Sequence, residues 1–593
     1  MRHLTVAQKT FLALLFLSAA LWFRQTPMPN IGTVTYQFDG LSPMQTQHPF
    51  SVKAQREYMT VEFPMVMTRL QSPILRIQPD DCLEELSINN VVVQHVSIPF
   101  CDYTYPGREM DLTEYVHPGL NMWKMRIRDT GGDTGIRIAP ALRGWVPIID
   151  FSIVVIVMLY IASLRKTLRI FRSMGSLFSF LLVGIGVRIS YVLSTGYFLR
   201  GHDTDAHIDY IRYVALHKAL PAAHAGWEFH QAPLYYILSA FIHNISTHIG
   251  VTAEHLYNVI QIESIFASIG VAIVGCAMAM TLFPEKTEVR MRALFAAIIL
   301  SFPTLIFLSS RITNNGLYVF LGSVTLFQFL RWWKSDTIKD WYILCALLAI
   351  TALTKVSGLA LVAAVGMAWV SRHGIHKDMW KFAFFGGLLF VLLFSWFPLS
   401  RLGNTQDTEK IVRLGNVGMN DDLRVTNTLT HFSTFNPVAV LEHPYNNPWE
   451  DNNRRQYFWE YFFRSAFFGE FSFDDRLRIL SQGILLSAML SLIPFLYGLL
   501  FSIRRKSMYD VPMLCTLGFL FLAAFLYRYL FPFAPNQDFR QSVLLLFPLS
   551  YFIAQGYGSL RMKKSMIQTL LYSTIMLCCY GSIAFIILLF WYR

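Results

Sequence analysis

The chain has 593 residues, of which 54% are hydrophobic and only 15% charged, and its mean hydropathy is +0.40. Soluble domains carry roughly 25% charged residues, so the composition excludes a soluble globular protein and describes a polytopic α-helical membrane protein. The net charge of +12 does not point to nucleic acid, because the basic residues fall in short clusters between apolar runs rather than on one binding face.

The first 29 residues read as a membrane anchor around an apolar run at 10–23. A cleaved signal peptide is the alternative, since that run is short and Ser18-Ala19-Ala20 supplies small residues. Residues 30–143 then change character. Short β-branched or apolar runs at 58–63, 74–77, 86–88, 91–96 and 122–127 alternate with turn formers such as Asn89-Asn90, which predicts an antiparallel β-sandwich. The segments LSINNVVV and DLTEYVHPGLNMWKMRIRDTGGDTG resemble galactose-binding-like jelly rolls, and sugar binding and a purely structural cap are equally open readings. Cys82 and Cys101, the two cysteines of this segment, are expected to form a disulfide in an oxidising compartment. The other five lie in or near apolar runs, where a thiol behaves as a small hydrophobe.

Residues 144–173 read as a second span and a basic loop, 174–400 as a membrane core with an acidic loop at 199–232, 401–478 as a large loop, and 479–593 as C-terminal spans. Taken as spans of roughly 20 residues, the apolar runs are 10–23, 145–164, 176–198, 256–283, 293–309, 317–332, 341–353, 356–370, 382–399, 479–501, 511–530, 543–555 and 566–591, about 13 crossings. Basic clusters follow alternate boundaries, at 165–172, 286–292, 331–339, 372–381, 504–506 and 561–564. All fall in the cytoplasm only if the apolar stretch 233–249 does not cross but lies in the interface. The sandwich, the acidic loop, the turn at 311–316, Lys355, 401–478 and 536–540 then share the outer side.

The acidic loop carries RGHDTDAHIDYIRY, followed closely by WEFHQAPLYY. Carboxylates beside membrane spans are costly unless they act, and one placed there can take a proton from an acceptor hydroxyl or amine. Asp203, Asp205 and His207 are the candidates for that chemistry, with Glu228, His230 and Tyr235 close behind as acceptor or sugar contacts. Asp205, Glu228 and His230 could instead hold a divalent cation. The bland reading is a hydrated loop whose acids pair with Arg200 and Arg212. Cations at membrane depth weigh against it: Arg188 lies about 15 Å inside its span at 1.5 Å per residue, Lys355 interrupts two apolar runs, and Arg540 follows a short outer turn. A lipid phosphate would satisfy several of them at once.

The pattern Asp203-Thr204-Asp205-Ala206-His207 after the opening span of the core resembles the acidic first loop of GT-C-fold glycosyltransferases, notably protein O-mannosyltransferases and lipid A aminoarabinose transferases. His230-Gln231-Ala232-Pro233-Leu234-Tyr235-Tyr236 is similar to their Pro-Pro-Leu-Tyr-Tyr segment, and Thr354-Lys355 to their Thr-Lys-Gly motif. The resemblance covers residue 176 to about 540. It implies a GT-C-like membrane fold and transfer of a sugar, with inversion, from a polyprenyl-phosphate-linked donor to a glycan, lipid or protein acceptor. It also implies Asp203 or Asp205 as base and Lys355 on the donor phosphate, where the membrane-depth cations Arg540 and Arg188 are expected to join it. A bacterial inner membrane with a periplasmic catalytic face is the implied location. The chain departs from the pattern at Thr313-Asn314-Asn315-Gly316, where an acid is usual, and in the metal-ligand glutamate, whose place Glu228 or His230 would have to fill. A lipid-linked sugar transporter or flippase, and an oligosaccharide ligase or polymerase, are the rival readings.

Overall fold

The computed structural model describes residues 5–591 apart from 26–29, 47, 49, 70, 95–97, 102–106, 130–132, 141–145, 166–167, 198–199, 202, 252, 375–376, 403–418, 506 and 561–564. It divides into two compact units. One comprises the first 167 residues with Gly250–Tyr257, the other Leu168–Ile249 and Asn258–Tyr592.

The first unit begins and ends in apolar helices, Val6–Gln25 and Val146–Leu164. They pack antiparallel: Lys9 Nζ donates to the Ser163 carbonyl at 3.3 Å and the Thr10 and Tyr160 hydroxyls meet at 2.8 Å. Between them lies the expected sandwich, with every strand pairing antiparallel. The larger sheet runs Met44–Thr46, Val34–Phe38, Tyr58–Met67, Gly119–Arg128, Cys82–Ile88 and Val91–Val92 from edge to edge; Asn30–Ile31 pairs with Tyr58–Met67 and Phe100–Cys101 with Cys82–Ile88. The smaller runs Arg108–Asp111, Ile74–Pro79, Asp133–Pro140 and Phe50–Lys53. Strict alternation along Tyr58–Met67 and Gly119–Arg128 sends Val61, Phe63, Trp123 and Met125 inward onto Leu75, Ile77, Ile136 and Ile138 of the other sheet, and this contact is the core. Asn89 and Asn90 take the positive φ values (53° and 65°) of the expected hairpin turn. Cys82 and Cys101 are disulfide-bonded.

In the second unit every expected apolar run folds as helix, though not always as one. Among the described residues, eight helices are long and apolar enough to cross a membrane, starting at Leu177, Leu256, Val356, Trp380, Asp475, Asp510, Ala534 and Met566. The chain is therefore an integral multi-pass membrane protein. The five other runs differ for physical reasons. Those at either end of the sandwich are shorter apolar helices, Val6–Leu21 and Ile148–Leu164. The run 293–309 breaks at Phe302–Pro303 into Val289–Ser301 and Pro303–Phe307, as proline requires. Asn314–Ser335 and Ile338–Thr354 are helices that bury polar groups between them, such as the Thr325 and Thr351 hydroxyls at 2.8 Å. The stretch 233–249 forms a single 15-residue helix, Leu234–His248, that buries Tyr235, Tyr236, Ser239 and Ala240 on one face and exposes Ile237, Leu238, Phe241 and Ile245 on the other. That amphipathic pattern suits an interface better than a crossing.

Candidate active site

Each side of the site is placed by a helix end. Asp203 is the N-cap of Thr204–His217, in the left-handed region at φ 52° that Asp tolerates. Its carbonyl accepts from His207 N at 3.0 Å, and its carboxylate, instead of capping, accepts from Trp227 Nε1 at 3.0 Å. Trp227 belongs to the following turn, whose Gly226 faces Phe229 so closely that a Cβ would lie 2.8 Å from the ring. That turn delivers Glu228, and an aromatic stack braces it: Tyr210 and Tyr236 rings are 3.8 Å apart, with Phe229 5.3 Å from Tyr210. The opposite side comes from three breaks between helices. Thr313 caps Asn314–Ser335 by accepting from Asn315 N, leaving Arg311 just outside it. Lys355 ends Ile338–Thr354 in extended backbone, and Asp538 caps the 3₁₀ turns that carry Arg540 and Gln541.

These groups line one cavity: Asp203, His207, Glu228 and Gln231 with Arg311, Lys355, Arg540 and Gln541, and with Thr313, Asn314 and Asn315. The space open to water in it is ≈ 40 Å³. Lys355 Nζ donates to Asn315 Oδ1 at 2.5 Å and Gln541 Oε1 at 2.6 Å, both neutral. Burial, and Arg540 beside it, push its ammonium down to about 7. The Arg311 guanidinium is buried, stacks at 5.0 Å over Phe471 and leaves Nε without a partner; burial lowers it to about 10. Burial and the neighbouring Asp203 push the Glu228 carboxyl well above the usual range, and its Oε2 has no partner. His207, its Nδ1 2.8 Å from the Tyr236 hydroxyl, is pushed down to about 3 by burial and then by Lys355 and Arg540, so the ring is neutral. The cavity thus holds three cations against one carboxylate and one carboxyl that favours its proton.

Arg540 is held from behind. Its Nη2 lies 3.7 Å from Glu470 Oε2 and its Nε 3.6 Å from Asp538 Oδ2, all three side chains being buried. Glu470 follows Gly469, which ends Phe458–Phe468 at φ 64° and turns the chain. The Tyr461 hydroxyl donates to Glu470, whose carboxyl burial pushes upward.

Of the residues expected from sequence, Asp203, His207, Glu228, Lys355 and Arg540 converge on the cavity. Asp205, one residue into the helix, does not line it, and neither does His230, whose Nδ1 is 3.1 Å from the Trp227 carbonyl. Tyr235 is buried edge-on against Tyr236, also off the lining. Arg188 needs correction. Its guanidinium donates to Ser268 Oγ (2.9 Å), Gly184 O (3.0 Å), Leu300 O (2.8 Å) and Ile299 O (3.4 Å). Pro303, with no N–H, cannot serve the Ile299 carbonyl, and the helix break exposes that of Leu300, so Arg188 caps a broken helix inside the bundle. The proposed metal ligands do not converge either. Among the described residues no three His, Cys, Asp or Glu side chains are grouped to hold an ion, and Glu228 shares the cavity with Arg311, Lys355 and Arg540. In 401–478, Phe458 is buried and Trp459 Nε1 donates to the Phe432 carbonyl at 2.7 Å, whereas Trp449 is exposed. Residues 403–418 of that segment lie outside the described residues.

Sequence reasoning missed Arg311, Gln231, Asn315, Gln541, Glu470 and Asp538. The last two had a signal. A lone acid in the aromatic run FFGEFSF, and an acid two residues before Arg540, are charges a membrane protein keeps only when paired.

No protein-family model matches the sequence, and no curated protein matches it. Among solved structures the chain is similar to the arabinosyltransferase EmbB from Mycobacterium smegmatis, determined by single-particle cryo-EM, with 12% sequence identity, a TM-score of 0.35 and 93% of this chain covered. The match spans 53% of that chain, about half its length.

Proposed function

We propose that this protein is a GT-C-type membrane glycosyltransferase that moves a sugar from a polyprenyl-phosphate carrier to an acceptor on the outer face of the membrane. One observation carries the reading: a carboxylate, Asp203, shares a cavity with the buried cations Lys355, Arg540 and Arg311. An anionic leaving group and a group able to accept a proton are what sugar transfer from a lipid phosphate requires. Asp203 takes the proton from the acceptor hydroxyl as its oxygen attacks the anomeric carbon. The bond from that carbon to the phosphate oxygen breaks, the configuration inverts, and the polyprenyl phosphate leaves with its added negative charge against the three cations. Glu228, holding a proton, neither repels the phosphate nor competes as base. The resemblance of the sequence around Asp203, Pro233 and Lys355 to GT-C enzymes agrees with this chemistry.

The test is transfer and binding in one preparation. Purified protein in nanodiscs is given radiolabelled polyprenyl-phosphate sugars with a cell-envelope lipid extract as acceptor, and binding of the donor is measured separately. Wild-type transfer that disappears in Asp203→Asn while donor binding persists supports the reading. Movement of labelled donor across vesicles with no glycosidic product favours a transporter.

A further inference from the structure

We propose that one pole of the β-sandwich is a membrane-docking surface, seated in the headgroup region of the bilayer that its two flanking helices enter. The starting observation is a lengthwise split of the larger sheet's solvent face. Along Gly119–Arg128 the outward residues are Leu120 and Met122, then Lys124 and Arg126. Leu120 pairs with Val66 across the sheet, while Val91 and Val92, after the Asn89-Asn90 turn, pair with Ile88 and Ser87 and so lie level with Trp123 and Lys124. All five are exposed, at 56% and 48% for Leu120 and Met122 and 43–55% for the three valines. The other end is ionic: Lys124 pairs with Glu62 at 2.8 Å, Arg126 with Asp39 at 3.2 Å and Arg128 with Glu84 at 2.7 Å. Exposed single hydrophobes need no explanation, but Leu120, Met122 and Val66, gathered at one pole beyond the row of the Lys124–Glu62 pair, do.

Chain connectivity says what lies at that pole. Asn30, the first residue of the sandwich, pairs with Val66. It is five residues from Gln25, the end of the first apolar helix, a reach of at most about 18 Å. The exit is at the same end. Pro140 pairs with Leu75, one residue from Ile74, which pairs with Asp111, and the segment 112–118 returns from there to Gly119. Pro140 is six residues from Val146, at most about 22 Å. Because Val6–Gln25 and Val146–Leu164 pack antiparallel, with Lys9 and Thr10 against Ser163 and Tyr160, Gln25 and Val146 lie at one end of the helix pair. That pair exposes Phe11, Leu14, Phe16, Ile148, Phe151 and Leu159, the surface of helices immersed in lipid. Both tethers therefore draw the apolar pole toward the membrane surface.

Dimensions fit as well. Leu120 and Arg126 are six residues apart on a strand, about 20 Å at 3.3 Å per residue, while a headgroup layer is roughly 5–8 Å deep on each side of the hydrocarbon. Leu120, Met122 and Val66 can sit in that layer while the ion pairs stay in water. The pole is also rigid enough to serve. Asn121, fully buried, accepts from Asn89 Nδ2 at 2.9 Å and His117 N at 3.1 Å and donates to the His117 carbonyl at 2.7 Å, while Asn89 Oδ1 accepts from Met122 N at 2.9 Å. This network ties the hairpin turn to the strand that carries the apolar pair.

The experiment uses the full chain in phosphatidylcholine nanodiscs, with Cys276, Cys345, Cys515, Cys578 and Cys579 replaced by alanine and the Cys82–Cys101 disulfide kept. Nitroxide labels are placed through Leu120→Cys, Met122→Cys or Arg126→Cys, and accessibility to oxygen and to a water-soluble nickel chelate is read by power saturation. Docking gives an oxygen-to-nickel ratio at 120 and 122 several-fold above that at 126. Equal ratios place the pole in water, and low accessibility to both reagents places it against protein; either result overturns the proposal. A second measurement leaves the native cysteines in place: lipids carrying an acyl-chain diazirine are photolysed around the wild-type protein. Adducts on the tryptic peptide 109–124 are expected. Adducts on the apolar helices with none on that peptide count against docking.

Discussion

Lys355 donates from Nζ to Asn315 Oδ1 at 2.5 Å, and the partner is an amide, not a carboxylate. A buried lysine paired with an acid would have its charge cancelled in place. Paired with Asn315 and Gln541, it stays oriented while its charge remains available to an incoming anion. The departure of this chain from an acid at that landmark therefore leaves the pocket more, not less, suited to a lipid phosphate.

Removing either cation proposed to hold the donor phosphate should weaken donor use. Lys355→Ala and Arg540→Ala each lose a charge-assisted contact worth roughly 1.5–3 kcal/mol, or about 10- to 150-fold in kcat/KM. Asn315→Asp keeps the shape and cancels the lysine, so it should raise KM for the donor in the same direction. Steady-state transfer assays on folded, monodisperse variants check this. Unchanged kinetics in both alanine variants would remove these residues from the site.

Donor affinity should fall as the pH rises through about 7. Burial and Arg540 set the free Lys355 near that value, and the phosphate selects its protonated form. Above it, binding must take up a proton, so affinity drops by up to about tenfold per pH unit. Glu228 acts in the same direction, since ionising the carboxyl that burial keeps protonated puts a negative charge beside the phosphate. A polyprenyl phosphoryl methyl ester is the suitable ligand, because its single charge does not titrate in this range. Its Kd should rise between pH 6.5 and 9 in wild type, rise less in Glu228→Gln, and lose the step near 7 in Lys355→Arg. A flat profile in wild type would contradict the assignment.

Arg188 separates a structural from a functional cation. Because its guanidinium serves the Ile299 and Leu300 carbonyls, Arg188→Met leaves two buried acceptors unpaired. Each costs about 1–3 kcal/mol. The variant should melt at a lower temperature in detergent, yet folded protein should keep the wild-type KM for donor. A raised KM with unchanged melting would return Arg188 to the phosphate site.

What was legible in the sequence follows from the range of the forces involved. The apolar runs and the alternating strands are local patterns, and most became helices or strands because periodicity and length act within a segment, while 293–309 broke at Pro303. Asp203, Lys355 and Arg540 were legible because a charge beside a span is conspicuous. Arg188 was equally conspicuous and misread, because its partners are backbone carbonyls freed by a proline 115 positions further along the chain. Which face of the helix Asp205 would occupy depends on where the helix starts. Asp203 is its N-cap, so its side chain meets the cavity and that of Asp205, two residues on, does not. Glu470 was lost among aromatics, since nothing local says that Gly469 turns it toward Arg540.

The base is the sharpest of these assignments to test. Asp203→Asn keeps the shape and can still accept from Trp227 Nε1, the contact seen at 3.0 Å, but it cannot take the acceptor's proton. If Asp203 is the general base, transfer should fall on the order of 10²–10⁴-fold with donor binding within a few-fold of wild type. Asp205→Asn, off the cavity lining, should retain most of its turnover. Trp227→Phe removes the hydrogen bond that orients the carboxylate and should sit between them, with a lower kcat and little change in donor KM. Turnover and donor binding are measured on the same purified preparations, so a chemical defect is told apart from a folding one. Near-normal transfer by Asp203→Asn would strip the acidic loop of its role, whereas a severe loss in Asp205→Asn alone would mean that the helix begins one turn differently when the donor is bound.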